Sequence, residues 1–110
     1  MAKYERRFRG NFDTVLNQLH RKILNGSISA SYEDGSDWQK GAFRCAVRVY
    51  ERYSFAGGNR LSASVTLAGE GDTLFLSVIT AGGSQGVFLK INTWGEGAFL
   101  DAIREIAEQL

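Results

Sequence analysis

Phe12, Val15, Leu16, Leu19 and Ile23 fall on one helical stripe, at i, i+3, i+4, i+7 and i+11. Asn11 stands ahead of them as an N-cap, and Asp13 suits the positive end of the helix dipole. Arg21 and Lys22 suit the other end, and Asn25-Gly26 predicts the stop, with Gly26 in the left-handed conformation. Before this helix, residues 2–8 alternate with Tyr4 and Phe8 on one side, which predicts a short first strand.

After the helix the period changes from helical to twofold. Ser27 to Tyr32 alternates strictly, and Asp34-Gly35-Ser36-Asp37 reads as its break. Residues 42–55 form the longest predicted strand. Its odd positions are Phe43, Cys45, Val47, Val49, Glu51, Tyr53 and Phe55; its even positions are Ala42, Arg44, Ala46, Arg48, Tyr50 and Arg52. Ala56-Gly57-Gly58-Asn59 turns the chain, after which Leu61, Ala63, Val65 and Leu67 alternate with Ser62, Ser64 and Thr66. Glu70-Gly71-Asp72 is a tight turn. Leu74, Leu76 and Val78 then oppose Phe75 and Ile79 on a strand apolar on both faces. A Gly-rich loop, residues 82–86, leads to a candidate short strand at Val87–Ile91. Thr93 and Glu96 fit a capping box for a second helix carrying Phe99, Leu100, Ile103, Ile106, Ala107 and Leu110.

The predicted fold class is α+β, as one domain over residues 1–110: a β-α-β4(5)-α order, with a curved antiparallel sheet and two helices packed on one face. The other face is left open.

Composition narrows the setting more than the chemistry. Basic and acidic residues number 13 and 12, so bulk charge points to neither a nucleic-acid nor a membrane partner. A single cysteine, Cys45, allows no internal disulfide and suits a reducing compartment. The charged start, Met1 to Arg6, lacks the apolar run of a secretory signal, and no stretch approaches a membrane span. The expectation is a cytoplasmic protein. Proline is absent, and 13 glycines mark turns instead.

Charge is distributed less evenly than it sums. Arg44, Arg48, Tyr50 and Arg52 share the even face of one strand, expected on the open side with Ser27, Ser29, Ser31, Ser62, Ser64 and Thr66. A solvated outer face is the ordinary origin of such a row. Guanidinium forks beside hydroxyls also suit a small anion, and Arg interleaved with Tyr suits stacking on single-stranded nucleic acid, the less expected partner. On the same open side, Phe75, Ile79 and Phe88 form an apolar patch, the candidate interface of a homodimer unless a loop covers it. The loop Gly82-Gly83-Ser84-Gln85-Gly86 offers backbone N–H groups to an anion but lacks the Lys-Ser/Thr ending of a P-loop. Glu51 interrupts the apolar odd face. It calls for an Arg or hydroxyl partner, a bulge near residues 50–52, or a place beyond the helices at the strand end. His20 is expected at the surface or boundary, Cys45 in the core, and Trp38 and Trp94 capping the core. One His and one Cys make no usual zinc site, and no catalytic constellation or cofactor motif emerges.

The element order resembles that of TATA-binding-protein-like domains and, in extended form, of helix-grip carriers. That resemblance implies a curved sheet that binds on its helix-free face or in the gap beneath its helix. Ser29-Ala30-Ser31, the run Cys45 to Ser54 and the run Ile79 to Gln85 resemble a family of short bacterial proteins of unknown function, which assigns no residue a role. The expected function is a non-enzymatic binding or interaction domain, dimeric through its later strands. The alternative is a carrier of a small apolar ligand, in a cavity lined by Tyr53, Phe55, Phe99 and Ile103.

Overall fold

The computed structural model describes residues 1–26, 28–54, 59–82 and 89–110, with the backbone only for Ser54, Asn59 and residues 89–96. The order is β1 (Ala2–Arg9), α1 (Phe12–Asn25), β2 (Ser31–Lys40), β3 (Phe43–Ser54), β4 (Asn59–Glu70), β5 (Thr73–Gly82) and α2 (Leu89–Glu108). The strands form one antiparallel sheet in the order β1-β5-β4-β3-β2. Four strands meander, and β1 docks beside β5 at one edge. This is the expected α+β class, with β-α-β4-α connectivity.

Both helices pack on one face. Leu61, Ala63, Val65 and Leu67 of β4 and Leu74, Leu76 and Val78 of β5 are buried there with Phe12, Leu19, Ile23, Phe99 and Ile103 from the helices. Tyr4 and Phe8 of β1 pack at the margin of this core, on the side expected. Arg6, between them, donates to the Ala107 carbonyl in the last turn of α2 at 2.5 Å. A cation there suits the helix's negative end.

Several boundaries depart from the sequence expectation. The Asn11 side chain does cap α1, accepting from the Thr14 N–H at 2.9 Å. Gly26, however, is extended rather than left-handed, with φ −84°. Glycine is needed for proximity instead: a Cβ there would lie 2.7 Å from the Lys22 carbonyl oxygen that the Gly26 N–H bonds. The strand expected from Ser27 starts only at Ser31, because Ser29 takes φ 60° and Ile28 drops into the core. Asp34-Gly35-Ser36-Asp37 does not break it.

Those turn formers lie inside β2, an outer strand. Glu33 is an extra residue between Tyr32 and Asp34, and Asp34 accepts from the Gly35 N–H. A bulge and a polar, Gly-containing sequence are how an outer strand avoids edge pairing. The turn comes later, at Gly41-Ala42, where Gly41 has φ 58°; Gly71-Asp72 repeats it with φ 62°. Glycine first in a two-residue loop is the II′ preference that suits twisted hairpins.

No strand forms at Leu89–Ile91. The chain is helical from Leu89, so Thr93 lies inside α2 rather than capping it. A Thr and a Glu three residues apart are also an ordinary helical pair, and nothing in Leu89–Asn92 obstructs a helix.

Candidate functional site: the helix-free sheet face

The pairing register fixes what the helix-free face carries. Paired residues point the same way, so each row across the sheet can be read strand by strand. One row is Asp34, Val49, Ser64, Ile79, Lys3. The next is Ser36, Val47, Thr66, Ser77, Glu5, and then Trp38, Cys45, Ala68, Phe75, Arg7. Lys40, Phe43, Glu70, Thr73 and Arg9 close the hairpin end.

Phe75 and Ile79 therefore lie where the sequence placed them, with Ser62, Ser64 and Thr66; Ile79 is 39% exposed. Phe88 and the Gly83–Gly86 part of the loop lie outside the described residues.

β3 is turned over relative to expectation. Its even face lies under the helices, because Ala46, Arg48, Tyr50 and Arg52 pair with Leu67, Val65, Ala63 and Leu61. Arg44, Arg48, Tyr50 and Arg52 do not share a face with Ser64. Ser29 is outside any strand. Each arginine is engaged separately. Arg44 pairs with Asp13 at 2.9 Å and lies over the Phe12 ring at 4.2 Å. The Arg44–Asp13 hydrogen bond lowers the Asp13 carboxyl and raises the Arg44 guanidinium. Arg48 bonds Asp37 at 3.0 Å and the Val47 carbonyl at 2.9 Å. Arg52 lies over the Phe99 ring at 4.8 Å, and burial lowers its pKa. Its Nε has no hydrogen-bond partner among the described residues. Long aliphatic stems let arginines line a covered face while their heads reach its margin.

Tyr50, 1% exposed, is the largest fully buried side chain among the described residues. Its hydroxyl lies 2.7 Å from His20 Nδ1, and Tyr32 meets the His20 ring edge-on at 5.1 Å. Burial pushes the Tyr50 hydroxyl up to about 12, against the opposing charge of Arg48. His20 is thus a boundary residue with a specific partner that sequence periodicity could not supply. No local signal supplies it, because the pattern of β3 predicts Tyr50 on the open face, away from the helices.

The odd residues of β3 occupy the helix-free face. Cys45 is half-buried there rather than in the core, and Trp38 is 57% exposed, 5.8 Å from the Phe43 ring, rather than capping the core. The Trp94 side chain lies outside the described residues. Glu51 finds its cation in Arg60, which also reaches Glu33 at 3.7 Å. The bulge expected near residues 50–52 is instead across the pair, at Glu33 of β2. Phe43, Ala68, Phe75 and Arg7 border a shallow groove of about 430 Å³.

The carrier cavity does not assemble as expected. Phe99 and Ile103 are fully buried in the core, Tyr53 is 66% exposed on the opposite face, and Phe55 lies outside the described residues. Among the described residues no group of three His, Cys, Asp or Glu is placed to hold a metal, and no helix is long and apolar enough to cross a membrane.

None of the curated proteins and none of the solved structures compared with the chain matches it. The model of a family of unknown function, DUF6054, matches residues 1–110, and the chain belongs to that family.

Proposed function

We propose that this protein is a non-enzymatic interaction domain that works by pairing its helix-free sheet face with a second copy of itself. One observation carries this: β3 turns Phe43, Cys45, Val47 and Val49 to the bare face and its arginines to the covered one. With Ala68 and Phe75 beside Cys45 on neighbouring strands, those residues make a contiguous apolar band, which marks an interaction surface, and Ile79 adds an apolar side chain beyond Ser64. Five strands at about 4.8 Å spacing and about 34 Å of strand length offer about 800 Å² per copy, from standard sheet dimensions. That matches the about 800 Å² per partner of a standard stable interface. The half-buried free thiol of Cys45 supports a reducing, cytoplasmic setting. The β-α-β4-α order supports grouping the fold with TATA-binding-protein-like domains.

Sedimentation equilibrium tests the reading. Wild type should sediment as a dimer at micromolar concentration, and Val49→Glu as a monomer with an unchanged far-UV spectrum. A wild type that stays monomeric up to several hundred micromolar sinks it.

A further inference from the structure

Resting on that self-pairing, we infer that the two copies are related by a twofold axis running along β4. Face-to-face sheets admit two in-plane axes, one along the strands and one across them, and the charges on the outer strands separate the two.

With the axis along β4, each strand meets its mirror position in the sheet order, so β1 lies over the partner's β2. In the first row Lys3 meets the partner's Asp34, and by symmetry Asp34 meets the partner's Lys3. Ile79 meets Val49, and Ser64 meets itself. In the next row Glu5 meets the hydroxyl of Ser36. In the third, Arg7 meets the exposed indole of Trp38, a cation–π pair, and Phe75 meets Cys45. The central strand carries Ser62, Ser64, Thr66 and Ala68, small side chains that let the sheets approach where each residue meets its own copy. Aligned sheets pack about 30° apart, which displaces an outer-strand residue about 10 Å from the axis by about 5 Å, within a lysine's reach.

With the axis across the strands at Thr66, β1 lies over the partner's β1 in reverse. Lys3 then meets Arg7, and Glu5 meets Glu5. Every charged pair of that strand is then like-signed, which opposes association. Moved half a row, to Val65 or Leu67, that axis pairs Glu5 with Lys3 or with Arg7 but not with both: at Leu67 Lys3 meets Arg9, and at Val65 Arg7 meets no acid of β1, whereas the axis along β4 gives Lys3 and Arg7 each a partner. The row of Lys40, Glu70 and Arg9 fits neither axis well: along β4 it sets Arg9 against Lys40 and Glu70 against itself. These three residues are exposed at the hairpin margin, where their long side chains reach solvent.

Thiol cross-linking of full-length protein in a Cys45→Ser background reads the axis directly. A short bismaleimide spans the about 10 Å between packed sheets. Ser64→Cys should link to its own copy, and Glu5→Cys, at the outer strand, should not. Lys3→Glu and Asp34→Lys should each weaken dimerisation at least about tenfold, and the double variant should recover most of the loss. If the protein sediments as a dimer but Glu5→Cys links and Ser64→Cys does not, or neither links, the axis is wrong while self-pairing stands. If the double variant is weaker than either single variant, the Lys3–Asp34 pairing is wrong. If wild type is a monomer, both fall.

Discussion

The two faces of β3 differ in a way that ordinary amphipathic reasoning would invert. The covered face carries Arg44, Arg48 and Arg52 around Ala46 and Tyr50; the bare face carries Phe43, Cys45, Val47 and Val49. The neighbouring strands decide the matter. β4 and β5 bury Leu61, Val65, Leu67, Leu74, Leu76 and Val78 on one side, and the ladder carries β3 along with them. The helices accommodate the result because α1 offers Asp13 to Arg44 and His20 to Tyr50, and Phe12 and Phe99 offer ring faces to Arg44 and Arg52. The difference teaches that a strand's burial is set by the sheet, and that apolar residues left on the bare side look for a partner.

The largest expected effect separates adjacent residues of β5. Leu76, fully buried on the covered face, should cost about 3 kcal/mol on truncation to Ala, read from a urea midpoint. Phe75, its neighbour on the bare face, should cost no more than about 1 kcal/mol in dilute protein, with a larger loss at high concentration as association adds to stability. Equal losses at every concentration would abolish the distinction between the faces.

Tyr50 gives the covered face a pH signature. Burial pushes its hydroxyl up to about 12 in the folded chain, from an ordinary value of about 10. Below pH 10 both states keep the proton. Between the two values the unfolded chain releases it first, so stability falls as pH rises through that window. The loss should reach about 2–3 kcal/mol by pH 12. Tyr50→Phe should start less stable, having lost the His20 bond, and should lack that part of the decline. Parallel curves for the two proteins between pH 10 and 12 would place Tyr50 in water.

How much of this was legible beforehand depends on where periodicity was unopposed. The α1 stripe, its Asn11 cap, the β4 alternation and the sides taken by Phe75 and Ile79 all follow from local pattern. β3 did not, because its odd face is the more apolar and nothing local shows that Arg stems will pack on Phe12 and Phe99. β2 did not either: Asp34-Gly35-Ser36-Asp37 is turn chemistry, overridden by ladder pairing with β3 at an outer strand. The Arg60–Glu51 pair was out of reach because it needs the β3–β4 register.

Gly35 offers a smaller test of how the covered face is fitted. A Cβ there would lie 2.6 Å from the Tyr32 hydroxyl and 2.8 Å from the Val47 carbonyl oxygen. Tyr32 can swing aside, but the carbonyl belongs to the neighbouring strand. Gly35→Ala should destabilise by about 1–2 kcal/mol. Adding Tyr32→Ala should fail to recover the loss, since the backbone contact remains. Full recovery would assign the constraint to the ring alone.

The smallest effect falls on the bare face, at Cys45. Half-buried between Trp38 and Ala68, Cys45 lies on the face opposite the helices and outside the buried core, so Cys45→Ser should change monomer stability by no more than about 0.5 kcal/mol. The thiol then becomes a reporter of what covers the face. In dilute native protein a thiol reagent should modify Cys45 fully without loss of far-UV signal, because no unfolding is needed to reach it. At concentrations where two copies pair, modification should slow in step with the dimer fraction, since Cys45 would face the partner's Phe75. A rate that tracks global unfolding at every concentration would return Cys45 to the core. A native rate independent of concentration would leave the apolar face of β3 without its second copy.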